Sequence, residues 1–282
     1  MARQAAFWFS SGLKRLVRRA FDFLGGKHSP CCLKGLVMVL SEIIEWPISG
    51  HAHSGELEEH ERWGSDDLEA HIRKWTAARQ HERHLNRFVQ RSGFSFSGDI
   101  MEIGAGSCWL SSIVSRSPQV KTIHAVEFSR RRLETWSPVC MKIFGADASK
   151  IIRVRGDFNN LQVGGNSMDA VIADAVLHHA TDLPFLLKEL ARVLKPGGSL
   201  IAFREATKAH FRSVPQYFRN IEYENIYKKS EYLDMLRAAG FEARAVPGWN
   251  GDSWKAKVKD VFPFSALNNY FWASYTFWGV KK

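Results

Sequence analysis

Glu102, Glu127, Asp157, Asp174 and Glu205 each stand at the end of a short apolar run, and two adjacent imidazoles, His178 and His179, follow the fourth of these acids. Carboxylates at strand ends accept hydrogen bonds from hydroxyls and amines. An imidazole titrates near neutrality and can take a proton from a reacting group. Gly104 and Gly106 follow Glu102 directly. Without a Cβ, such residues let the backbone turn sharply and approach a ligand. Glu127 comes about 20 residues beyond that turn, where a nucleoside-binding fold places the acid that accepts from ribose hydroxyls. His210 stands a little beyond Glu205, as a further imidazole.

The elements that must hold these groups alternate. A strand beginning near Gly98 ends at Glu102, the glycine turn follows, and a helix starts before Ser111. Further strands are expected at Thr122–Glu127, Ile151–Arg155 and Met168–Ala173, the last running through Asp174 into Val176-Leu-His-His179. Pro184 to Leu194 reads as a helix with Phe185, Leu186, Leu190, Val193 and Leu194 facing inward. Leu194-Lys-Pro-Gly-Gly198 leads into a fifth strand at Ser199–Phe203. A sixth is expected at Phe241–Val246 and a last, aromatic-rich one at Tyr270–Val280. Strands alternating with helices imply parallel pairing with helices on both faces.

With these motifs in this order, the chain resembles the class I S-adenosylmethionine-dependent methyltransferases. It is most similar to the type 11-like branch, with Leu-His-His after strand four and Leu-Lys-Pro-Gly-Gly before strand five; the likeness runs from about Asp99 to Phe241. It implies an α/β fold: a Rossmann-like, doubly wound sheet of seven strands in the order 3-2-1-4-5-7-6, the last antiparallel. It implies S-adenosyl-L-methionine as cofactor, with Gly104 and Gly106 leaving room for the methionyl part and Glu102 near its ammonium. Glu127, followed by Phe128, would hold the ribose. Asp157 would accept from the adenine amino group beside Phe158, and Asp174 and Ala175 would line the wall near the sulfur. The family's third glycine is replaced by Cys108.

The flanks look private to this chain. Leu13 to Leu24 has apolar residues at helical spacing with Lys14, Arg15, Arg18 and Arg19 between them, the pattern of a basic amphipathic helix that can lie on an anionic membrane surface or cover a pocket. A second helix is expected from Leu33 to Trp46, ending at Pro47. His51, His53 and His60 fall in a polar stretch that reads as loop. A long helix from Ser65 carries Leu68, Ile72, Trp75, Leu85, Phe88 and Val89 on its buried stripe. The expected organisation is an N-terminal helical cap over residues 1–64 and a methyltransferase domain over 65–282. A lid-like insertion is expected at about 204–228, too long for an ordinary connection.

The chain has 282 residues and 45% hydrophobic content, enough for a sizeable core. Its formal charge is 39 − 29 = +10, which favours acidic partners or a solvated basic surface. Cys31, Cys32, Cys108 and Cys140 form no secreted disulfide framework and no Cys-x-x-C zinc spacing, so the expected setting is cytoplasmic, with membrane-peripheral contact through the basic helix as the variant. The function expected is methyl transfer to a small-molecule, lipid or glycan acceptor, with O-methylation favoured. A nucleic-acid methyltransferase and a non-catalytic methyltransferase-like scaffold are the alternatives. For a hydroxyl acceptor, His178 is the preferred base, His179 a base or a pin for the following helix, and Glu205 and His210 the other candidates.

Overall fold

The computed structural model describes residues 43–48, 67–79, 81–208, 225–247 and 274–282, all within one compact unit, Ser41–Lys282. The basic amphipathic segment, the polar histidines, His210 and most of the lid-like insertion lie outside the described residues.

Eight strands form one sheet: β1 (Ile44–Glu45), β2 (Gly98–Ile103), β3 (Val120–Glu127), β4 (Ile151–Arg155), β5 (Met168–Asp174), β6 (Leu194–Ala206), β7 (Phe241–Pro247) and β8 (Ser274–Lys281). Their order is β1-β4-β3-β2-β5-β6-β8-β7. The first six in that order run parallel, and β8 pairs antiparallel with both β6 and β7. The expected seven-strand order is therefore present with one strand added at the β4 edge. That strand corrects the helix expected from Leu33 to Trp46. At Ile44 and Glu45 the chain is extended and pairs with Val154 and Arg155. A β-branched residue beside an open parallel edge gains ladder hydrogen bonds that a helix ending at a proline would forgo.

The central strands are buried on both faces and correspondingly apolar: Ile100, Met101, Ile103, Ile123, Val126, Val171 and Ile172 have no solvent exposure. The long helix expected from Ser65 is two helices, α1 (Leu68–Arg79) and α2 (His81–Ser92). Phe88 of α2 meets Phe203 and Trp278 edge-on at 5.4 and 5.5 Å, fixing α2 over β6 and β8. After β2 comes α3 (Trp109–Val114), and after β3 a π-turn followed by α4 (Ser137–Phe144). The helix between β5 and β6, α5 (Leu183–Val193), is capped by Asp182, whose carboxylate accepts the Phe185 amide at 2.9 Å. It buries Leu183, Leu186, Leu187 and Leu190; Phe185, expected to face inward, is 51% exposed because it falls on the opposite side of the first turn. The last helix, α6 (Lys229–Ala238), buries Tyr232 and Leu236.

Candidate cofactor and active site

In an open parallel sheet, ligands bind outside the carboxyl ends of the strands where the connections reverse direction. Here that crevice lies between β2 and β5. Gly104 has φ +59, and a Cβ on it would fall 2.6 Å from Val176 Cγ2. Only glycine lets these two turns close to that distance. Gly106 is also left-handed, at φ +54. So is Cys108, at φ 60 and ψ 33 on the N-terminal flank of α3. The third glycine of the pattern thus corresponds to a left-handed backbone position, which cysteine occupies under strain.

Glu127, 3% exposed, is held by two backbone amides: Gly106 N–H donates to Oε2 at 2.7 Å and Ser129 N–H to Oε1 at 2.9 Å. These bonds aim the group and tie it to the glycine turn. Asp157 closes its own turn, with Oδ1 accepting from Asn159 N and Nδ2, both at 2.8 Å. Gly156 N–H donates to Glu127 O at 3.0 Å, so the two acid-bearing turns are directly linked. Phe128 is half-buried beside Glu127, whereas Phe158 belongs to the apolar core.

Glu102 is buried under α3. Its Oε2 accepts Ser111 N–H at 2.9 Å and a very short bond from the Ser111 hydroxyl. Burial pushes its pKa up to about 8 against the pull of Ser111, with Asp174 and Glu127 adding to the rise. Asp174 takes the opposite course. Burial alone would raise it, but the Arg204 guanidinium holds it below the ordinary carboxylate value, helped by His81 and Trp109. Arg204 Nε reaches Asp174 Oδ1 at 2.6 Å, its Nη2 bonds Oδ2, and Trp109 Nε1 donates to Oδ2 at 3.0 Å. His81 stacks on Trp109 at 4.2 Å with Trp75 edge-on to it. Ala175, next along, is left-handed at φ 57 and donates its amide to Phe203 O.

The second cluster lies one turn further. Glu205 is fully buried. Its Oε1 accepts Val176 N–H at 2.8 Å and Leu177 N–H at 2.9 Å, and its Oε2 lies 2.9 Å from His178 Nδ1. A carboxylate holding two amides on one oxygen acts as acceptor on the other, which favours a proton on His178 Nδ1. His179 is half-buried, its ring 4.2 Å from that of His178. A register shift between Ala202 and Glu205, with Arg204 at φ 52, turns successive side chains of β6 to Asp174 and to His178. The described ends of the insertion expected at about 204–228 meet here. Thr207 bridges Tyr227, and Asn225 N–H donates to His178 O at 2.7 Å.

The structure places Glu102, Gly104, Gly106, Glu127, Asp157, Asp174, Ala175, His178, His179 and Glu205 at or just beyond the carboxyl ends of β2 to β6. Trp109, Arg204 and His81 are the residues that sequence reasoning missed. Arg204 had a signal, a basic residue directly before Glu205, but its turn toward Asp174 depends on the bulge.

The strand order and the glycine turn agree with the Rossmann-like fold that the resemblance implies. Residues 101–202 match the family described as "Methyltransferase domain". A sterol 24-C-methyltransferase from Aspergillus fumigatus is 39% identical over 101 residues, covering 33% of this chain and 27% of that protein. The chain thus spans about a quarter of that relative's length. A demethylmenaquinone methyltransferase from Staphylococcus saprophyticus is 26% identical over 196 residues, covering 61% of this chain and 82% of that protein. Among solved structures, the putative methyltransferase in complex with the Haloferax volcanii Trm112 methyltransferase activator superposes with a TM-score of 0.56 at 18% identity, covering 76% and 97% of the two chains. That similarity is one of fold.

S-adenosylmethionine is the cofactor that the resemblance implies, and the residues present are compatible with it. Gly104 lets the backbone pack directly against Val176, Glu127 is an amide-anchored carboxylate that would suit a ribose diol, and Asp157, on the linked turn, would suit the adenine edge.

Proposed function

We propose that this chain transfers a methyl group from S-adenosylmethionine to a small, largely apolar acceptor bearing an ionisable hydroxyl. The observation that carries this reading is the buried His178–Glu205 pair, at 2.9 Å, beside the glycine turn. When bound, the cofactor supplies an already activated methyl on a cationic sulfonium. The chain's own residues then have two tasks, alignment and removal of one proton. His178 Nε2 takes the hydroxyl proton. Glu205 is a positioning residue: it fixes the tautomer and ring orientation and offsets the imidazolium charge that forms. His179 braces the His178 ring. Thr207, Asn225 and Tyr227, at the described ends of the expected insertion, meet beside this corner.

The names of the relatives, a sterol and a demethylmenaquinone methyltransferase, support an apolar acceptor. They also favour a second reading of the same site. Deprotonating a ring hydroxyl enriches the neighbouring carbon as well as the oxygen, so one base serves O- and C-methylation, and the acceptor decides which atom receives the methyl. The test combines turnover on a panel of phenols and quinols with mass analysis of the product. His178→Ala should slow transfer by roughly 10²–10⁴-fold with cofactor affinity unchanged. If His178→Ala turns over normally while His179→Ala does not, the base is His179. Steeply salt-dependent RNA or DNA binding would favour a nucleic-acid acceptor. Failure to bind S-adenosylmethionine or S-adenosylhomocysteine would favour a scaffold.

A further inference from the structure

The two turns that carry Glu127 and Asp157 are spanned from outside by β1. Glu45 reaches Arg155 at 3.1 Å, two residues before Asp157, and also bonds Arg130, three residues after Glu127. Trp46 N–H donates to Arg155 O at 2.8 Å. The Trp46 side chain lies against Gly156, the residue between Arg155 and Asp157. A Cβ on Gly156 would stand 2.9 Å from Trp46 Cβ and 3.2 Å from the indole ring. Trp46 is half-buried and packs on the core cluster that contains Phe158. One short strand thus grips both acid-bearing turns and lays an aromatic ring beside the peptide that joins them.

We propose that Trp46 forms the outer wall of the nucleoside subsite and that pairing of β1 with β4 positions Glu127 and Asp157 for the adenosine moiety. The inference rests on the cofactor reading above and deepens it: a binding residue comes from a segment ahead of the domain's recognisable motifs. Gly156 acquires a reason in the same stroke, since any side chain there would push the indole off the turn. Because β1 is only two residues long and its ion pairs are half-exposed, its pairing is weak alone. Nucleoside binding and strand docking therefore reinforce each other.

The experiment measures S-adenosylhomocysteine binding by calorimetry on the full chain, with hydrogen exchange over the 43–48 peptide with and without this ligand. Trp46→Ala and Gly156→Ala should each weaken binding about fivefold to tenfold, and Trp46→Phe should restore most of the affinity lost in Trp46→Ala. Exchange of the 43–48 peptide should slow on ligand addition in wild type and not in Glu127→Ala. If Trp46→Ala and Gly156→Ala melt as folded proteins and bind within twofold of wild type, the inference is overturned while the cofactor reading stands. If wild type itself does not bind S-adenosylhomocysteine, both are overturned.

Discussion

Replacing Glu127 by glutamine tests whether this acid is built for a ribose. Its two oxygens accept the Gly106 and Ser129 amides at 2.7 and 2.9 Å. In glutamine one of those oxygens becomes an amino group, which then faces an N–H donor. Either the side chain rotates away or one buried amide loses its partner, at a cost of about 1–3 kcal/mol. The charge is lost as well. Two hydrogen bonds from ribose hydroxyls to a charged acceptor are worth roughly 1.5–3 kcal/mol each. Even the lower figure for both, about 3 kcal/mol, corresponds to more than a hundredfold in affinity. Glu127→Ala, which loses both bonds, should therefore weaken S-adenosylhomocysteine binding about a hundredfold by calorimetry, and Glu127→Gln, which keeps one oxygen acceptor, at least about tenfold. Both should lower the unliganded melting temperature, because the glycine turn loses its tie to β3. A glutamine variant that binds within threefold of wild type would refute the assignment of Glu127 to the ribose.

Three further outcomes follow from the site. Gly104→Ala should abolish measurable cofactor binding and cost several kcal/mol in denaturant titrations, since its methyl would sit 2.6 Å from Val176 Cγ2 on a left-handed backbone. Cys108→Gly should stay within about 1 kcal/mol of wild type, because relief of left-handed strain offsets the lost burial of the thiol; Cys108→Val should be clearly destabilised. Glu102, whose pKa is raised from 4.5 to about 8, favours the folded state when protonated. Its contribution is complete below about pH 4.5 and is lost as pH rises through 8, by up to about 1.4 kcal/mol per unit, so Glu102→Gln should flatten the fall in unfolding free energy over that window.

The placement of the glycine turn and of two strand-end acids was legible in the chain itself. Gly104, Glu127 and Asp157 are bound by local rules: a turn with no room for a Cβ, and carboxylates at the ends of apolar runs that must become buried parallel strands. The periodicities yielded the alternation of strands and helices and hence parallel pairing, whereas the order of the seven strands came only with the family resemblance. What only the tertiary structure decided depends on contacts between residues far apart in sequence. Glu205 could have been a base by its type. It became the partner of His178 because a bulge in β6 faces it toward the turn after β5. Arg204 neutralises Asp174 through the same irregularity, and Trp109 and His81 complete that cluster from two other helices. The residues at Ile44–Trp46 read as the end of a helix in isolation. The open edge of β4 made them a strand, because pairing with Val154 and Arg155 supplies backbone hydrogen bonds that no local pattern encodes.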